Sequence, residues 1–338
     1  MKEIRILITS CLGKTGSILA NQLKKSKYFN YEIFGSDNRE TNIKVENYNK
    51  IFRVPLGEDK NYIDTLLNIL IENKIRFILA GSDEEAISLS NNINILNKLK
   101  ITSIVSDKEQ LYLIRNKYQT YSYLKSKNIH VPDHHLITNK IEFNKALKLS
   151  GYPKKNLVIK PCSGRGGRGV FYLKGLGSIP KWINNGERTE IINNSNDILE
   201  IFDNKNEFIL MPLLNSPCYD VDILKIHSST KKYECVIRKR INPNGIPYRG
   251  YELIKNSNLE NYVFSIYEKL NLKSLHDFDI MTDENGQPVL LEVNPRPSGS
   301  LVVSHMAGVP IIDLAIANQL KVKIDYVPFN NKSLYINF

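Results

Sequence analysis

Residues 290 to 300 read Leu290-Leu291-Glu292-Val293-Asn294-Pro295-Arg296-Pro297-Ser298-Gly299-Ser300. The apolar residues predict a buried β-strand, and successive side chains of a strand point to opposite faces. Glu292 and Asn294 therefore share one face, and Arg296 follows just beyond the strand end. Carboxylate and amide oxygens are ligands that Mg²⁺ prefers, and a guanidinium binds anions. The alternative is a strand end whose polar residues only cap a turn.

The segment before this strand favours the cation site over a simple turn. It alternates apolar and acidic residues and ends in Asn285-Gly286, a strong signal for a tight hairpin. If these two residues form the loop, Thr282 pairs with Val289, and Asp279 pairs with Glu292. The Cβ atoms of opposed residues lie roughly 4.5–5.5 Å apart, so two carboxylates there repel each other unless a cation lies between them. The hairpin therefore predicts a metal site formed by Asp279, Glu292 and Asn294.

The length and composition are those of an ordinary globular protein. The chain has 338 residues, of which 42% are hydrophobic and 24% charged, enough for two or three domains. Its four cysteines lack metal-ligand or C-x-x-C spacing, so we expect reduced thiols and a cytoplasmic location. No apolar run approaches the roughly 18 residues that span a membrane. The first residues lead directly into a strand, so we expect no signal peptide.

The net charge of +11 raises the question of a nucleic-acid partner. Lysines are spread along the whole chain, without a block of five or six basic residues and without an aromatic and basic RNA motif. We therefore predict that the protein binds neither nucleic acid nor membrane. An anionic small molecule such as a nucleotide fits the charge equally well.

A glycine-rich loop follows Lys160 and reads Pro161-Cys162-Ser163-Gly164-Arg165-Gly166-Gly167-Arg168-Gly169. Glycines let the backbone approach a ligand closely and direct N–H groups at phosphate oxygens, and Lys160 adds a cation. A flexible surface loop would explain the glycines but not a lysine inside an apolar strand. The loop joins two strands and lacks a Gly-Lys-Ser/Thr ending, so it is not a P-loop. We predict that it binds phosphate.

A second glycine turn, Gly13-Lys14-Thr15-Gly16, follows the first strand. It has Cys11 where a dinucleotide fingerprint has its first glycine, and Ile8 where a Walker motif has its own. Asp37 has the position of a ribose-binding acid, but a single acid is weak evidence. A tight structural turn is therefore favoured over a dehydrogenase site.

The order of segments predicts three domains. Strands and helices alternate from residue 4 to about 105, which indicates an α/β domain with a parallel, doubly wound sheet over 1–105. A long helix is then predicted from Ser106-Asp107 to Asn128, and it carries Lys117. Strands dominate the remainder.

Together these features resemble the ATP-grasp superfamily over nearly the whole chain, and especially its carbamoyl-phosphate-synthase-like branch. That branch includes biotin carboxylases and many carboxylate–amine ligases. The resemblance implies a Rossmann-like N-terminal domain over 1–105, followed by two α+β subdomains that hold ATP between antiparallel sheets. The small subdomain with the glycine-rich loop would span 106–205, and the subdomain with the metal and acylphosphate site would span 206–338.

The resemblance also implies ATP as cofactor, with Mg²⁺ bound as two ions, and it assigns residues to each part of the site. The phosphate ligands would be Lys117, Lys160, Ser163, Gly164, Gly166, Gly167 and Gly169. The adenine hinge would be Leu210, Met211 and Leu213. The metal ligands would be Asp279, Glu292 and Asn294. The residues at the reacting groups would be the catalytic Arg296 and Lys160, with Ser298 and Gly299 beside the substrate.

Two further arginines, Arg238 and Arg240, share one face of a predicted strand and are candidates for binding the substrate carboxylate or the triphosphate. A solvated basic face is the alternative. The chain departs from the family at Cys218, where many members have a ribose-binding glutamate that Asp220 or Asp222 would have to replace. It also has Gly245-Ile246-Pro247 where carbamoyl phosphate synthases have a histidine after Gly-Ile, which weakens a bicarbonate reaction.

The function that we predict from these observations is an ATP-dependent carboxylate–amine ligase, which forms an amide through an acylphosphate and releases ADP and phosphate. Its partners would be a small carboxylic acid and an amine, and a homodimer is a candidate assembly. The alternatives are a bicarbonate-activating carboxylase or carbamoyl-phosphate-synthase-like enzyme, and a nucleotide-binding module without catalysis.

Overall fold

The computed structural model describes residues 1–40, 45–164, 167–183, 189–226, 232–241 and 250–328. The predicted phosphate ligand Gly166 and the segment 245–247 lie outside these ranges. Three five-stranded sheets form the framework. None of the helices in the described ranges is both long and apolar enough to span a membrane.

The N-terminal domain contains a sheet whose paired strands are all parallel, as predicted, in the order β3-β2-β1-β4-β5. Its strands are β1 (Lys2–Thr9), β2 (Phe29–Asp37), β3 (Lys50–Arg53), β4 (Phe77–Leu79) and β5 (Thr102–Ser103). Its helices are α1 (Lys14–Lys24), α2 (Tyr62–Glu72), α3 (Asp83–Asn91) and α4 (Ile93–Lys98). Strand order changes direction between β1 and β4, the point where open α/β sheets form a crevice.

The single long helix predicted after this domain is wrong, because the chain forms α5 (Lys108–Arg115) and α6 (Lys117–Ser126). Asn116 between them has an extended backbone, with φ −102° and ψ 108°, and its side chain accepts a hydrogen bond from Gln119 N–H. This N-cap satisfies one of the unpaired donors at the start of α6. Lys117 is therefore the first residue of a helix, and its backbone N–H donates to the Cys162 carbonyl at 2.8 Å.

The second sheet has the strand order β6-β10-β7-β8-β9. Its strands are β6 (His135–Asn139), β7 (Leu157–Pro161), β8 (Val170–Leu173), β9 (Thr189–Ile192) and β10 (Asp203–Pro212), with helix α7 (Lys140–Leu149) and the 3₁₀-helix Ser195–Ile201. Neighbouring strands are antiparallel except for β8 and β9. The boundary predicted at 205/206 lies inside β10, which pairs with β7 through Pro212. The change of sheet therefore follows Pro212.

The third sheet is antiparallel at each described pairing, in the order β13-β12-β11-β14-β15. Its strands are β11 (Asn215–Lys225), β12 (Tyr233–Arg240), β13 (Tyr251–Ile254), β14 (His276–Thr282) and β15 (Pro288–Asn294). The helices of this part are α8 (Ser257–Lys269), α9 (Leu301–Met306) and α10 (Ile311–Leu320).

The two C-terminal helices complete the core of the N-terminal domain. Ile312 and Ile316 of α10 belong to the same buried cluster as Ile6 of β1 and Leu19 of α1. The buried Asp313 accepts hydrogen bonds from two side chains of that domain, Ser26 Oγ and Tyr31 Oη. Burial of this apolar area stabilises the contact between the first and last parts of the chain. The strand exit at 295–300 is thereby held against the N-terminal domain.

Candidate nucleotide and metal site

The predicted pairing of Asp279 with Glu292 is confirmed, although the turn that led to it is wrong. Thr282 pairs with Pro288 instead of Val289, so residues 283–287 form the loop. The register then shifts between Ile280 and Asp279, which leaves Leu291 without a partner as a β-bulge. The bulge adds one residue to β15. It offsets the one-residue error in the predicted turn and restores the predicted pairing of Asp279 with Glu292.

One face of the third sheet carries most of the polar side chains of the site. Strand pairing opposes Asp220 to both Arg238 and Asp279, and it opposes Asp279 to Glu292. Residues two apart on a strand lie on the same face. The central part of this face, called the acidic face below, is formed by Asp220, Asp222, Arg238, Arg240, Asp277, Asp279, Glu292 and Asn294. Sequence reasoning did not assign Asp277 to the site, and it considered Asp220 and Asp222 only for ribose. Their signal was the spacing of acids at alternate positions.

Asp279 lies among like charges. Its pKa is raised to about 7. Burial is the largest cause, the carboxylates of Asp220 and Glu292 add to the rise, and the Arg240 guanidinium opposes it. Arg240 donates from Nη2 to Asp279 Oδ1 at 2.9 Å and from Nε to Asp220 Oδ1 at 2.6 Å. A pKa that burial and neighbouring carboxylates together raise this far indicates a place where a cation would be stabilised.

Glu292 and Asn294 present the remaining predicted metal ligands. Lys117 Nζ lies 3.2 Å from Glu292 Oε2. Burial alone would raise the pKa of Glu292, but Lys117 and Lys160 outweigh it and hold that pKa below its ordinary value. Asn294 donates from Nδ2 to Asp277 Oδ2 at 3.0 Å, so its Oδ1 points away from that carboxylate.

The donor set fits a divalent cation such as Mg²⁺, because it combines two carboxylates with an amide oxygen. Within the described ranges, no group of three or more His, Cys, Asp or Glu side chains is already arranged around a metal position. Lys117 and Arg240 instead provide positive charge beside Glu292 and Asp279. The assignment of Asp279, Glu292 and Asn294 as metal ligands stays a prediction.

The two predicted phosphate-binding lysines meet above the acidic face. Lys117 donates to the Gly164 carbonyl at 2.9 Å, and it thus connects Glu292 to the glycine-rich loop. Lys160 contacts Tyr121 Oη at 3.2 Å and the Leu291 carbonyl at 3.4 Å. Burial, with a smaller contribution from the charge of Lys117, lowers the pKa of Lys160 to about 7, although Glu292 and Asp279 oppose the change.

Residues 163, 164 and 167–169 of the glycine-rich loop are exposed. Ser163 and Gly164 end it on one side, and Gly167 and Gly169 on the other. Gly164 has φ +139° and Gly167 has φ +69°, values that favour glycine, and a Cβ added at either would meet nothing within 4 Å. The backbone there is open to an approaching ligand, and phosphate binding stays a prediction.

The predicted hinge lies where the chain passes from the second sheet to the third. Leu210 and Met211 of β10 are buried on opposite sides of the second sheet, and Met211 belongs to the core that faces the third sheet. Leu213 follows, and its backbone N–H donates to the Asn156 carbonyl at 3.0 Å. Cys218 is buried, which raises its pKa, so the thiol replaces a glutamate with an uncharged group. Adenine binding at the hinge stays a prediction.

The two arginines of β12 differ in what they contact. Arg240 is directed at Asp220 and Asp279, as described above. Arg238 is completely buried and pairs with Asp222 and Asp277, with an Nη2–Asp277 Oδ1 distance of 3.1 Å. The solvated basic face considered as an alternative is therefore wrong for Arg238. The same guanidinium donates to Ser304 Oγ at 2.7 Å and Ser298 Oγ at 3.2 Å, so it connects the acidic face to the strand exit.

The strand exit contacts the N-terminal domain. Arg296 Nε lies 3.0 Å from Asp83 Oδ1, at the start of α3, and Arg296 Nη1 donates to the Pro297 carbonyl at 3.1 Å. A Cβ added at Gly299 would come within 3.2 Å of Thr15 Oγ1, at the start of α1. No sequence signal linked these segments, which are more than 200 positions apart. The predicted roles of Arg296, Ser298 and Gly299 toward substrate stay predictions.

The glycine turn of the N-terminal domain is filled by the chain itself. Asp37 Oδ2 accepts from Leu12 N–H at 2.9 Å, and its two oxygens also accept from Arg39 Nε at 2.8 Å and Nη2 at 3.1 Å. Cys11 is buried beneath the turn, and a Cβ at Gly16 would lie only 2.3 Å from the Cys11 carbonyl oxygen. This glycine therefore serves close packing of α1 against the turn itself, which favours the structural interpretation of the turn.

Part of the sequence matches a known protein family, and nearly the whole chain shares its fold with solved structures. Residues 204–337 match the family described as ATP-grasp in the biosynthetic pathway with Ter operon. A search of curated protein sequences finds no match.

Several solved structures resemble the whole chain. N5-carboxyaminoimidazole synthetase from Staphylococcus aureus, in complex with ADP, has a TM-score of 0.71 and 17% identity, covering 97% of this chain and 81% of that one. L-amino acid ligase from Bacillus licheniformis has a TM-score of 0.67 and 15% identity, covering 95% and 75%. A biotin carboxylase complex from Campylobacter jejuni has a TM-score of 0.69 and 14% identity, covering 95% and 72%. The chain therefore shares the fold of these enzymes over nearly its whole length, and its residues 204–337 match an ATP-grasp family.

Proposed function

We propose that this protein is an ATP-dependent carboxylate–amine ligase that works through an acylphosphate. One observation carries the proposal: Lys117 joins the Gly164 carbonyl of the glycine-rich loop to Glu292 of the acidic face, at 2.9 and 3.2 Å. These two contacts support treating the predicted phosphate site and the predicted metal site as one continuous site. The ligase and carboxylase structures that share the fold support this assignment, and at 14–17% identity they support the fold more than the substrate.

In this proposal Lys117 and Lys160 bind the phosphates of ATP, and the backbone N–H groups of Gly164, Gly167 and Gly169 cover them. Asp279, Glu292 and Asn294 would hold Mg²⁺, as one ion or two. When bound, the cation neutralises the charge that develops on the phosphate oxygens during transfer. Arg240 supports this arrangement because it fixes the orientation of Asp279 through the 2.9 Å hydrogen bond.

The substrate would lie at the strand exit, where the acidic face meets the N-terminal domain. Its carboxylate oxygen attacks the γ-phosphorus, the bond to the ADP oxygen breaks, and an acylphosphate forms. The guanidinium of Arg296 and main-chain N–H groups near Gly299 stabilise the charge of this intermediate. An amine then attacks the carbonyl carbon, phosphate leaves, and an amide remains. A closed glycine-rich loop would exclude the water that otherwise hydrolyses the acylphosphate.

The test is an ADP-release screen with Mg²⁺ and ATP across amino acids and small carboxylic acids, each with and without amine acceptors. A ligase releases ADP only with a matching pair. ADP release that depends on bicarbonate alone would replace the proposal with a carboxylase. Thermal stabilisation by Mg²⁺·ATP without ADP release from any pair would replace it with a nucleotide-binding module.

The control variants for this screen come from the same hairpin. Glu292→Gln should lower amine-dependent turnover by about 100-fold or more, because even residues that only support metal ligands contribute roughly 10–100-fold. Glu284→Gln removes an exposed acid of the hairpin loop that pairs with Lys155 at 3.1 Å. It should leave turnover unchanged. Near-normal turnover of Glu292→Gln would contradict the assignment of the site.

A further inference from the structure

The β-bulge at Leu291 provides an acceptor for two side chains of the phosphate site. Because Leu291 has no partner in the pairing of β14 with β15, its carbonyl accepts other donors. Tyr121 of α6 donates its hydroxyl to this carbonyl at 2.6 Å, and Lys160 approaches the same oxygen at 3.4 Å. Tyr121 is completely buried, and Lys160 Nζ lies 5.6 Å from the centre of its ring.

The direction of these hydrogen bonds follows from the donors available. A phenol has one O–H to donate, and Tyr121 uses it on Leu291. Its lone pairs are therefore left to accept from the Lys160 ammonium, 3.2 Å away. Tyr121 and the Leu291 carbonyl form a cradle of two oxygens around one buried ammonium.

The cradle holds Lys160 without neutralising it. Among the described residues Glu292 pairs with Lys117 and not with Lys160, so neutral oxygens are the atoms that contact this ammonium. The charged or titratable groups that face Lys160 are Lys117 from α6, Asp279 from β14, Glu292 from β15 and Cys162 just after its own strand. An ammonium that is oriented but only partly compensated is well prepared to bind an anion.

We propose that Tyr121 is a positioning residue, which together with the bulge carbonyl of Leu291 holds Lys160 directed at the nucleotide phosphates. The inference rests on the proposed function, because it assumes that nucleotide is the anion that Lys160 meets. It assigns a role in the site to a tyrosine that no phosphate or metal pattern marks. The bulge, which corrects the register of the hairpin, also supplies the carbonyl that orients Tyr121.

The experiment compares Tyr121→Phe with Tyr123→Phe, a control on the same helix whose hydroxyl donates to the Lys269 carbonyl at 3.1 Å. Binding of a non-hydrolysable Mg²⁺·ATP analogue is measured by calorimetry from pH 6 to 8.5. Tyr121→Phe should weaken binding about tenfold, the size expected for a hydrogen bond to a charged group. The pH above which affinity falls should also move to a lower value. Tyr123→Phe should match the wild type.

A double-mutant cycle separates positioning from general packing. In a Lys160→Met background, Tyr121→Phe should cause no further loss of affinity. An equal loss in both backgrounds, or a loss in the wild-type background without any change in the pH profile, would overturn the proposal. Unchanged affinity and an unchanged pH profile for Tyr121→Phe would do so as well.

A second measurement needs no nucleotide. The Lys160 side-chain NMR signal, identified by its loss in Lys160→Met, is titrated in the ligand-free wild type and in Tyr121→Phe. The midpoint should fall in the variant, because an acceptor of the ammonium has been removed, and an unchanged midpoint would overturn the proposal. If the wild type did not bind the analogue, the proposed function alone would fail, since the titration would still decide whether Tyr121 holds Lys160.

Discussion

Two regions of this molecule combine glycines, acids and lysine in ways that suggest a ligand. One is the turn after β1, and the other is the acidic face of the third sheet together with Lys117, Lys160 and the glycine-rich loop beside it. At the turn, Asp37 accepts from Leu12 N–H and from the Arg39 guanidinium. Burial would raise the pKa of Asp37, but the hydrogen bonds from Arg39 and Leu12 outweigh it, and the pKa lies below its ordinary value. The chain itself supplies what this acid needs.

At Asp277 and Asp279 of the acidic face the balance is reversed. Burial raises the pKa of Asp277 well above its ordinary value, and Asp220 and Asp279 raise it further, despite the opposing charge of Arg238. The pKa of Asp279 rises to about 7 for similar reasons. Carboxylates brought together without enough cations cost free energy of folding unless a ligand compensates them. The comparison teaches that unbalanced charge, more than the glycine pattern, distinguishes a ligand site from a structural turn.

The largest effect is expected when the positive charge at the centre of the acidic face is removed. Arg238→Met leaves Asp222 and Asp277 buried without their partner, which should lower the free energy of unfolding by about 3–5 kcal/mol. Lys239→Met is the matched control, because the neighbouring side chain is 40% exposed and pairs with Glu252. That surface pair should contribute about 0–1 kcal/mol. Urea unfolding of both variants measures the difference.

The result also tests the role that the sequence predicted for Arg238. If Arg238→Met unfolded like the wild type but lost affinity for the carboxylic acid, Arg238 would be a substrate ligand. The contacts with Asp277 and Ser298 favour a different outcome, in which stability falls first. The two regions would then differ as proposed, because the stability of the acidic face depends on the buried Arg238 guanidinium, whereas Arg39 at the turn is largely exposed.

Much of the fold could be predicted because periodic patterns determine it locally. The alternation of strands and helices predicted the parallel sheet, whereas the antiparallel sheets were implied by the family resemblance. The helix break at Asn116 was missed because asparagine at one position changes helical propensity little, whereas capping by its side chain becomes apparent only with the backbone in place. The boundary predicted at 205/206 lies inside β10, and the pairing of β10 with β7 is not visible in either strand alone.

The site was predicted in part for the same reason. The acids of β14 and β15 are close in sequence, so a hairpin could bring them together, and the bulge at Leu291 happened to preserve the match. The contact of Arg296 with Asp83 and that of Lys160 with Tyr121 join elements that do not follow one another in the sequence. Local patterns do not specify such contacts, which depend on how finished elements pack.

A smaller effect is expected from pH. Lys160 has a pKa of about 7 in the ligand-free protein, so it is mostly neutral at pH 8. Phosphate stabilises the charged form, and binding at pH 8 should therefore take up a proton. Affinity for Mg²⁺·ATP should fall by up to about tenfold for each pH unit above 7. Calorimetry in two buffers of different ionisation enthalpy measures the uptake.

Lys160→Met is the control for this measurement, since it should abolish the pH-dependent part while leaving Lys117 in place. Proton release, or an affinity that rises between pH 7 and 8, would contradict the assignment of Lys160 to the phosphates. The turn after β1 should contribute nothing, because its acid titrates far below this range.

The smallest effect is expected at the turn after β1, where Asp37→Asn removes the charge that Arg39 binds. The amide can still accept from Leu12 N–H, and Arg39 is largely exposed, so the loss should be about 1 kcal/mol. Because the pKa of Asp37 is lowered by folding, its contribution is present above the ordinary value of 3.8 and is lost as the pH falls below it. Unfolding measured at pH 7 and at pH 3 should therefore show a smaller difference between variant and wild type at the lower pH.

Nucleotide affinity should not change, and NAD(H) should give no thermal shift with either protein. A marked loss of Mg²⁺·ATP affinity in Asp37→Asn would mean that the turn binds a ligand. The Asp37 carboxylate is already satisfied by Leu12 N–H and Arg39, so its removal should not otherwise affect the phosphate site.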